Sequence, residues 1–347
     1  MTDLVWQPMA EALEFAVSRI TDDPDPLNDR ERADGDLYIL RMLTALGESS
    51  TLSLDPDHPS FLSMLDSVRY LGGAGPDIDY DVAAVRPDSL YRISGRRGDA
   101  SYVGIAVYAG AGEDGASAIV ESVDVDTIIA SDGSFSWEFS HPEAARVIVR
   151  QYFHDRRSQG RGDWSIERVD AGADGAPRST RRAGSAEMGF RVANAAKSLR
   201  WNAQLNQLWT PERRAHPNEF VRQTSDDIVA AIPNPDVIYS FTWWRMADDE
   251  AIVIDVRPPD TPYWGLQVCD RWFQCFPDRR SNLNDRHAVR NADGSVTIVL
   301  SDGDPGVANW LDTSGHRIGT MFFRWLHADP QELPTCRIAK RSELSAR

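Results

Sequence analysis

Ser101-Tyr102-Val103-Gly104-Ile105-Ala106-Val107-Tyr108 returns 161 residues later as Pro262-Tyr263-Trp264-Gly265-Leu266-Gln267-Val268-Cys269. Both runs are strand-like, and other landmarks around them keep nearly the same spacing. Pro76-Asp77-Ile78-Asp79-Tyr80 returns after 159 residues as Pro235-Asp236-Val237-Ile238-Tyr239, and Asp132-Gly133-Ser134 returns after 161 as Asp293-Gly294-Ser295. A repeat of this period implies two copies of one supersecondary unit. It predicts architecture and leaves the chemistry open.

From Asp77 the apolar pattern has a period of two. Leu90 to Gly95, Tyr102 to Tyr108, Val123 to Ala130, Ser134 to Phe139 and Arg146 to Phe153 are short segments separated by Gly, Pro, Asp and Ser, the pattern of antiparallel strands in a sandwich or barrel. Asp132-Gly133 reads as a type I′ hairpin turn, because glycine accepts positive φ and aspartate tolerates it. The series recurs at Val237 to Arg245, Ala251 to Val256, Tyr263 to Cys269, Ser295 to Leu300 and Gly319 to Leu326. Arg150 matches Arg324 at a spacing of 174, so the second copy carries an insert around Asp302 to His316, a candidate functional loop.

The first seventy or so residues have helical periodicity. Met9, Leu13, Ala16, Val17 and Ile20 share one face; Leu37, Leu40, Leu43, Ala45 and Leu46 form a second stripe ending at Gly47. Pro59 through Phe61, Leu62, Leu65 and Val68 to Gly72-Gly73 reads as a third helix. Ala171 to Ala183 reads as a linker, and Ser185 to Trp209 as a long helix introducing the second copy. The expected fold is mainly β with helical additions (α+β), two repeated antiparallel β units forming a sandwich- or jelly-roll-like body. Its segments are an N-terminal helical part (1–73), a first β unit (74–170), a linker with a central helix (171–233), a second β unit (234–330) and a C-terminal tail (331–347).

In 347 residues, 37 basic side chains face 53 acidic ones, and the net charge of −16 repels polyphosphates and anionic membrane surfaces. Nucleic acid and membrane are therefore not expected partners. Met1 to Trp6 has no basic start or apolar core of a secretory signal, no window is long and apolar enough to span a bilayer, and the odd set Cys269, Cys275 and Cys336 suits a reducing compartment. The expected location is the cytoplasm. Cys269 and Cys275 read either as a redox or metal couple or as buried thiols. The sequence has no Gly-x-Ser-x-Gly, Walker loop, dinucleotide fingerprint or zinc-ligand pattern.

The stretch Leu90-Tyr91-Arg92-Ile93-Ser94-Gly95-Arg96-Arg97-Gly98-Asp99-Ala100-Ser101-Tyr102-Val103, with Asp293-Gly294-Ser295-Val296 and Asn309-Trp310-Leu311, resembles the bacterial domain-of-unknown-function family numbered 1214. The likeness extends to the Gly72-Gly73 and Asn234-Pro235-Asp236 entries into the two units and to the Arg146 to Arg150 strand. The resemblance implies an all-β, sandwich-like core with helical additions, and no established reaction. Where family members often read Asn-Pro-Asp before the first unit this chain has Gly75-Pro76-Asp77, so a role resting on that asparagine exists only at Asn234.

Asp77, Asp79 and Asp81 alternate with apolar residues, which on one strand face would stack three carboxylates, raise a pKa or recruit Mg²⁺. The second copy keeps only Asp236. A solvated face in an acidic protein is the other reading. Only three of the 11 tryptophans precede residue 200, which makes the second half the aromatic one. Tyr239, Phe241 and Trp243 share a strand face, and Trp243, Trp244, Trp264 and Trp310 are expected to line a pocket for an apolar or ring-containing metabolite, or else to fill the space between sheets. Arg150 and Arg324, embedded in apolar strands, call for a carboxylate such as Asp77 or Asp236, or for an anionic ligand; Asn234 and Asp236 join them as ligand-binding candidates. His141 and His316, facing each other across the repeat, are candidate general bases. The expectation is a small-molecule protein, possessing, if it is an enzyme, cofactor-independent hydrolase, lyase or isomerase chemistry on Asp77, Asp79, Tyr80, Tyr239, His141 and His316. The alternatives are a non-catalytic carbohydrate- or metabolite-binding module and a Mg²⁺-assisted enzyme on the aspartate ladder. A homodimer is expected from the prevalence of twofold assemblies.

Overall fold

From Ile78 onward the period of two is realised as antiparallel strands, and the two copies are realised as two units with the same strand order. The computed structural model describes residues 5–51, 55–65, 68–110, 117–170, 184–205, 211–223, 234–276, 280–330 and 332–344. The linker read from Ala171 to Ala183 lies outside the described residues.

The first unit comprises Met1–Leu71, Ile78–Gln204 and Ala230–Pro233. Helix α1 (Gln7–Thr21) has a proline in its first turn, where the missing N–H is not needed, and buries Ala12, Ala16 and Ile20 along one stripe. Helix α2 (Asp29–Thr51) opens on a capping box, in which the Glu31 amide donates to Asn28 Oδ1 at 2.9 Å and the Asn28 amide donates to Glu31 Oε2 at 3.0 Å. It runs through Gly47, where the sequence predicts a stop. Both pack on α3 (Ser185–Ala203).

Among the described residues from Pro59 to Gly72 no helix forms, contrary to the sequence expectation. Instead β1 (Leu62–Ser63) pairs with β2 (Ile78–Ala84), Leu62 opposite Val82, so cross-strand pairing overrides a short apolar stripe that suits either structure. One sheet has the order β1-β2-β7-β4-β5, with β7 (Ala144–Tyr152), β4 (Tyr102–Ala109) and β5 (Ile119–Asp124). The other has the order β6-β3-β8, with β6 (Ser134–Phe139), β3 (Tyr91–Arg96) and β8 (Asp163–Arg168). Ile93, Val103, Ile105, Val107, Phe135, Val147, Val149 and Ile166, contributed by both sheets, form the core between them.

The second unit comprises Gly72–Asp77, Leu205–Val229 and Asn234–Arg347. It includes the short helix α4 (Pro211–Ala215). Its first sheet runs β13-β12-β16-β10-β9, with β9 (Val221–Gln223), β10 (Val237–Arg245), β12 (Trp264–Asp270), β13 (Asn282–Asn284) and β16 (Ile318–Leu326). Its second runs β15-β14-β11-β17, with β11 (Glu250–Val256), β14 (Val296–Ser301), β15 (Trp310–Asp312) and β17 (Thr335–Lys340). Strand for strand this is the order of the first unit, and the register matches too. Arg150 lies opposite Tyr80 and Gly104, as Arg324 lies opposite Tyr239 and Gly265. The insert supplies the one new strand, β15, which pairs parallel with β14. β17 occupies the stretch read from sequence as a tail and takes the place that β8 has in the first unit.

The hairpin at Asp132-Gly133 differs from the type I′ expectation. The Gly133 amide donates to Ala130 O at 2.9 Å and the Ala130 amide donates to Ser134 O at 2.7 Å, and of the loop residues only Gly133, at φ 82°, is left-handed. This is a three-residue loop, a type I turn followed by a left-handed glycine. The second copy repeats it at Asn291, Gly294 (φ 83°) and Ser295.

Candidate functional site

Alternation along β10, β12 and β16 sorts their side chains into two sets. Trp244, Trp264, Leu266, Val268, Met321, Phe323 and Trp325 enter the core between the sheets of the second unit. Tyr239, Phe241, Trp243, Gly265, Gln267, Cys269, Thr320, Phe322 and Arg324 therefore lie on the opposite face of the five-stranded sheet.

That face carries a chain of rings. Phe241 stacks on Phe322 with centroids 4.9 Å apart, Tyr239 lies 5.6 Å from Phe241, and Phe273 stacks on Phe322 at 6.3 Å. Phe273 comes from the tight hairpin after β12. Asp270 fixes this turn, its carboxylate accepting from the amides of Trp272 (2.8 Å) and Gln274 (2.9 Å) and from Gln274 Nε2 (2.9 Å). Phe273 holds φ 65°, a left-handed conformation that is costly for a bulky residue and that here delivers its ring to Phe322.

Arg324 stands in the middle of the rings. Its guanidinium carbon lies 4.5 Å from the Phe322 centroid and 5.9 Å from that of Tyr239. It donates to Gln267 Oε1 at 2.6 Å and to the Gly73 carbonyl at 2.5 Å. Gln267 Nε2 in turn donates to Ala74 O at 3.1 Å. A Cβ on Gly265, opposite Arg324, would lie 2.5 Å from the Tyr263 hydroxyl, which folds over it, so a larger residue there must displace that ring. Gly104 under Tyr102 repeats the arrangement in the first unit, with the corresponding distance 2.0 Å.

The segment Gly72–Asp77 is bonded along this sheet. The Gly73 amide donates to Phe273 O at 3.2 Å, and the Asp77 carboxylate accepts from Tyr263 Oη (3.1 Å), Asn282 Nδ2 (2.9 Å) and Asn284 Nδ2 (2.9 Å). Asp77 thus precedes β2 and does not extend a ladder along it. Asp79 pairs with Arg156 and with Arg161 Nε at 2.9 Å, and Asp81 with Arg161 Nη2 at 3.2 Å. Burial pushes the Asp81 carboxyl up, outweighing the pull of Arg161. These ion pairs correct the expectation of three stacked carboxylates ready for Mg²⁺, and among the described residues no three His, Cys, Asp or Glu side chains come together in a metal-holding group.

The remaining expectations divide. Trp264 and Trp244 are core residues rather than wall: Trp264 packs 5.9 Å from Phe323 and 6.2 Å from Trp325, and Trp244 Nε1 donates to Cys269 O at 3.1 Å. Trp243 does lie on the aromatic face, covered by the Arg214 guanidinium at 4.3 Å. Trp310 donates from Nε1 to Ser301 O at 3.2 Å. Asn234 shapes the entry to β10, its Oδ1 accepting from the Asp236 amide at 3.2 Å, and Asp236 Oδ1 lies 3.8 Å from His327 Nδ1. His316 is buried, with Nδ1 3.0 Å from Thr313 O and its ring stacked 4.8 Å from Phe276. His141 accepts from the Glu143 amide at 3.2 Å. In the first unit Arg150 donates to Tyr108 Oη at 2.7 Å and lies 5.9 Å from the Tyr80 ring.

Sequence reasoning missed Phe322, Phe273 and Gln267. Phe322 stands two residues before Arg324 and Gln267 two after Gly265, so alternation from Arg324 would have found both; Phe273 depends on an irregular turn with no sequence signature. All three cysteines are free thiols. Cys269 and Cys275 are buried opposite each other in an isolated bridge, and burial pushes the Cys269 thiol well up and that of Cys336 to about 12. Among the described residues no helix is long and apolar enough to cross a membrane.

Residues 206–343 match the family model described as "Protein of unknown function (DUF1254)", which corrects the family number read from sequence while keeping the assignment to a domain of unknown function. The chain is similar to an uncharacterised protein from Burkholderia cenocepacia of known crystal structure, with 29% identity, 97% of each chain covered and a TM-score of 0.89. It shares its fold with the VPA0106 protein from Vibrio parahaemolyticus at 10% identity, 95% of this chain and 100% of that one covered, and a TM-score of 0.50. No curated protein matches the chain.

Proposed function

We propose that the protein binds a small, ring-containing organic anion on the aromatic face of the second unit's five-stranded sheet. One observation carries the reading: a guanidinium seated 4.5 Å over Phe322, beside Tyr239 and joined to Phe241 and Phe273 through stacked rings. Aromatic surface takes a flat ring, and a fixed arginine selects an anionic substituent and sets its orientation. Phe241, Phe273, Phe322 and Arg324 are buried, and Tyr239, partly exposed, marks the approach to them. Binding is favoured over turnover because the two carboxylates among the acid–base candidates are bound into the scaffold, Asp77 by three side-chain donors and Asp79 by two arginines. Free, largely buried thiols suit a reducing interior, and we place the protein in the cytoplasm.

Calorimetric titration with benzoate, 4-hydroxybenzoate and indole-3-acetate tests this reading. Saturable binding is expected for at least one compound, and Arg324→Met should weaken it tenfold or more, about 1.4 kcal/mol. Phe322→Leu should weaken it less. No binding by any of the three, or equal affinity in Arg324→Met, would sink the proposal.

A further inference from the structure

The first unit has an arrangement that the proposed function does not use. In β7, Val147 and Val149 face the core, so Arg146, Ile148, Arg150 and Tyr152 share the opposite face, where Tyr108 of β4 stands directly across from Arg146. Two guanidiniums converge on that one phenol ring: the carbon of Arg146 lies 5.8 Å from its centroid and that of Arg150 5.6 Å. Arg150 and Tyr108 are buried, and so is Ser117, whose hydroxyl accepts from Arg146 Nη2.

Arg146 is the unusual member. Its Nε is buried and makes no hydrogen bond, and among the described residues its hydrogen-bond partner is the Ser117 hydroxyl, not a carboxylate. Burial pulls its pKa down, opposed by the Tyr108 phenol and helped to a smaller degree by the charge of Arg150, the direction expected of a desolvated cation. Arginine cannot shed its proton in compensation, so the charge remains and is under-compensated. Nor does the fold demand it. The second unit has Thr320 at the matching place, across from Cys269 as Arg146 is from Tyr108, and builds the same sheet. A half-buried charge with a buried, unbonded Nε, retained in one copy where its twin manages with a neutral residue, is what a ligand-completed site looks like.

We infer that Arg146, Arg150, Tyr108 and Ser117 line a second site, on the first unit, that takes the oxyanion group of a small metabolite, a carboxylate or a phosphate. The unbonded Nε of Arg146 offers a charge-assisted donor, the charge of Arg150 beside it adds to the attraction for an anion, and the hydroxyl of Ser117 can turn to donate as well. This site is separate from the Arg324 face and rests on different residues.

The test uses the full chain at constant ionic strength, with chloride as the background anion and inorganic phosphate and acetate, which has no ring for the Arg324 face, as probes, read by calorimetry and thermal melting. One probe should bind saturably and raise the melting temperature, and which one does so separates a phosphate from a carboxylate ligand. Arg146→Met should weaken that binding at least tenfold, while the anion-free variant should melt about 2 °C or more above the wild type, because a half-buried, poorly compensated charge has gone. Arg146→Lys should keep part of the affinity. Indifference of the wild type to both probes, binding that Arg146→Met leaves intact, or an Arg146→Met protein that melts lower or fails to fold would each overturn the inference, the last because a structural arginine behaves in that way.

Discussion

Gly319 shows how closely single atoms constrain this fold. A Cβ there would fall 2.2 Å from the Cys269 carbonyl oxygen and 2.8 Å from Trp244 Nε1, and the first neighbour is backbone in the centre of a sheet. Gly319→Ala should cost about 2–4 kcal/mol, measured by chemical denaturation, through overpacking that cannot relax. Asp81 gives a prediction in pH. Its folded pKa is raised above 3.8, so its contribution to stability is fully present below the unfolded value and is lost as pH rises through the folded one. The wild type should therefore lose stability relative to Asp81→Asn as pH climbs from below 3.8 through that raised value; parallel stability curves would contradict the assignment. Residue-level alternation was legible and placed Tyr239, Phe241 and Trp243 together. What it could not reveal is which face is core. Phe241, Trp243 and Phe322 are as deeply buried as many core residues, so both faces read as apolar and Trp264 was set on the wrong one.

At the scale of elements, strands were legible wherever a glycine or aspartate turn bounded a period of two, and the helices α1 and α3 wherever their stripes were long. The segment after Pro59 was not, because four apolar residues over about two turns fit a helix as well as an edge strand. β17 escaped notice since only one of its residues, Ile338, is a large aliphatic and much of it stays exposed. The duplicated hairpins offer a clean measurement. Gly294 has φ 83° and nothing within 4 Å of a built Cβ, so Gly294→Ala should cost about 1 kcal/mol from backbone conformation alone. Gly294→Asn should recover part of that loss. Equal stability of all three proteins would mean that the loop rearranges at no cost.

For the molecule as a whole, the duplication was the most legible property, since 161 residues separate equivalent strands and the two strand orders agree. The site was less so, because Gly73, Ala74 and Asp77, which bond to Arg324, Gln267 and Tyr263, come from Gly72–Asp77, a stretch that immediately precedes β2 of the first unit yet belongs to the second unit. No local pattern announces such a partner. Asp77→Ala should loosen the second unit selectively, with hydrogen exchange rising in β12 and β13 while β3, β6 and β8 keep their protection. Uniform change across both units would show that the carboxylate has no such local role.

The same threading orders events during synthesis. Asp77 leaves the ribosome 186 residues before Tyr263, the residue whose hydroxyl it accepts. Strands β2 to β8 of the first unit are all translated in that interval, so these six residues must wait, without their final partners, until the later strands arrive. A gene cut between the two copies would therefore yield a C-terminal product lacking a piece of itself, and closing that loop is a long-range step of the kind that slows folding.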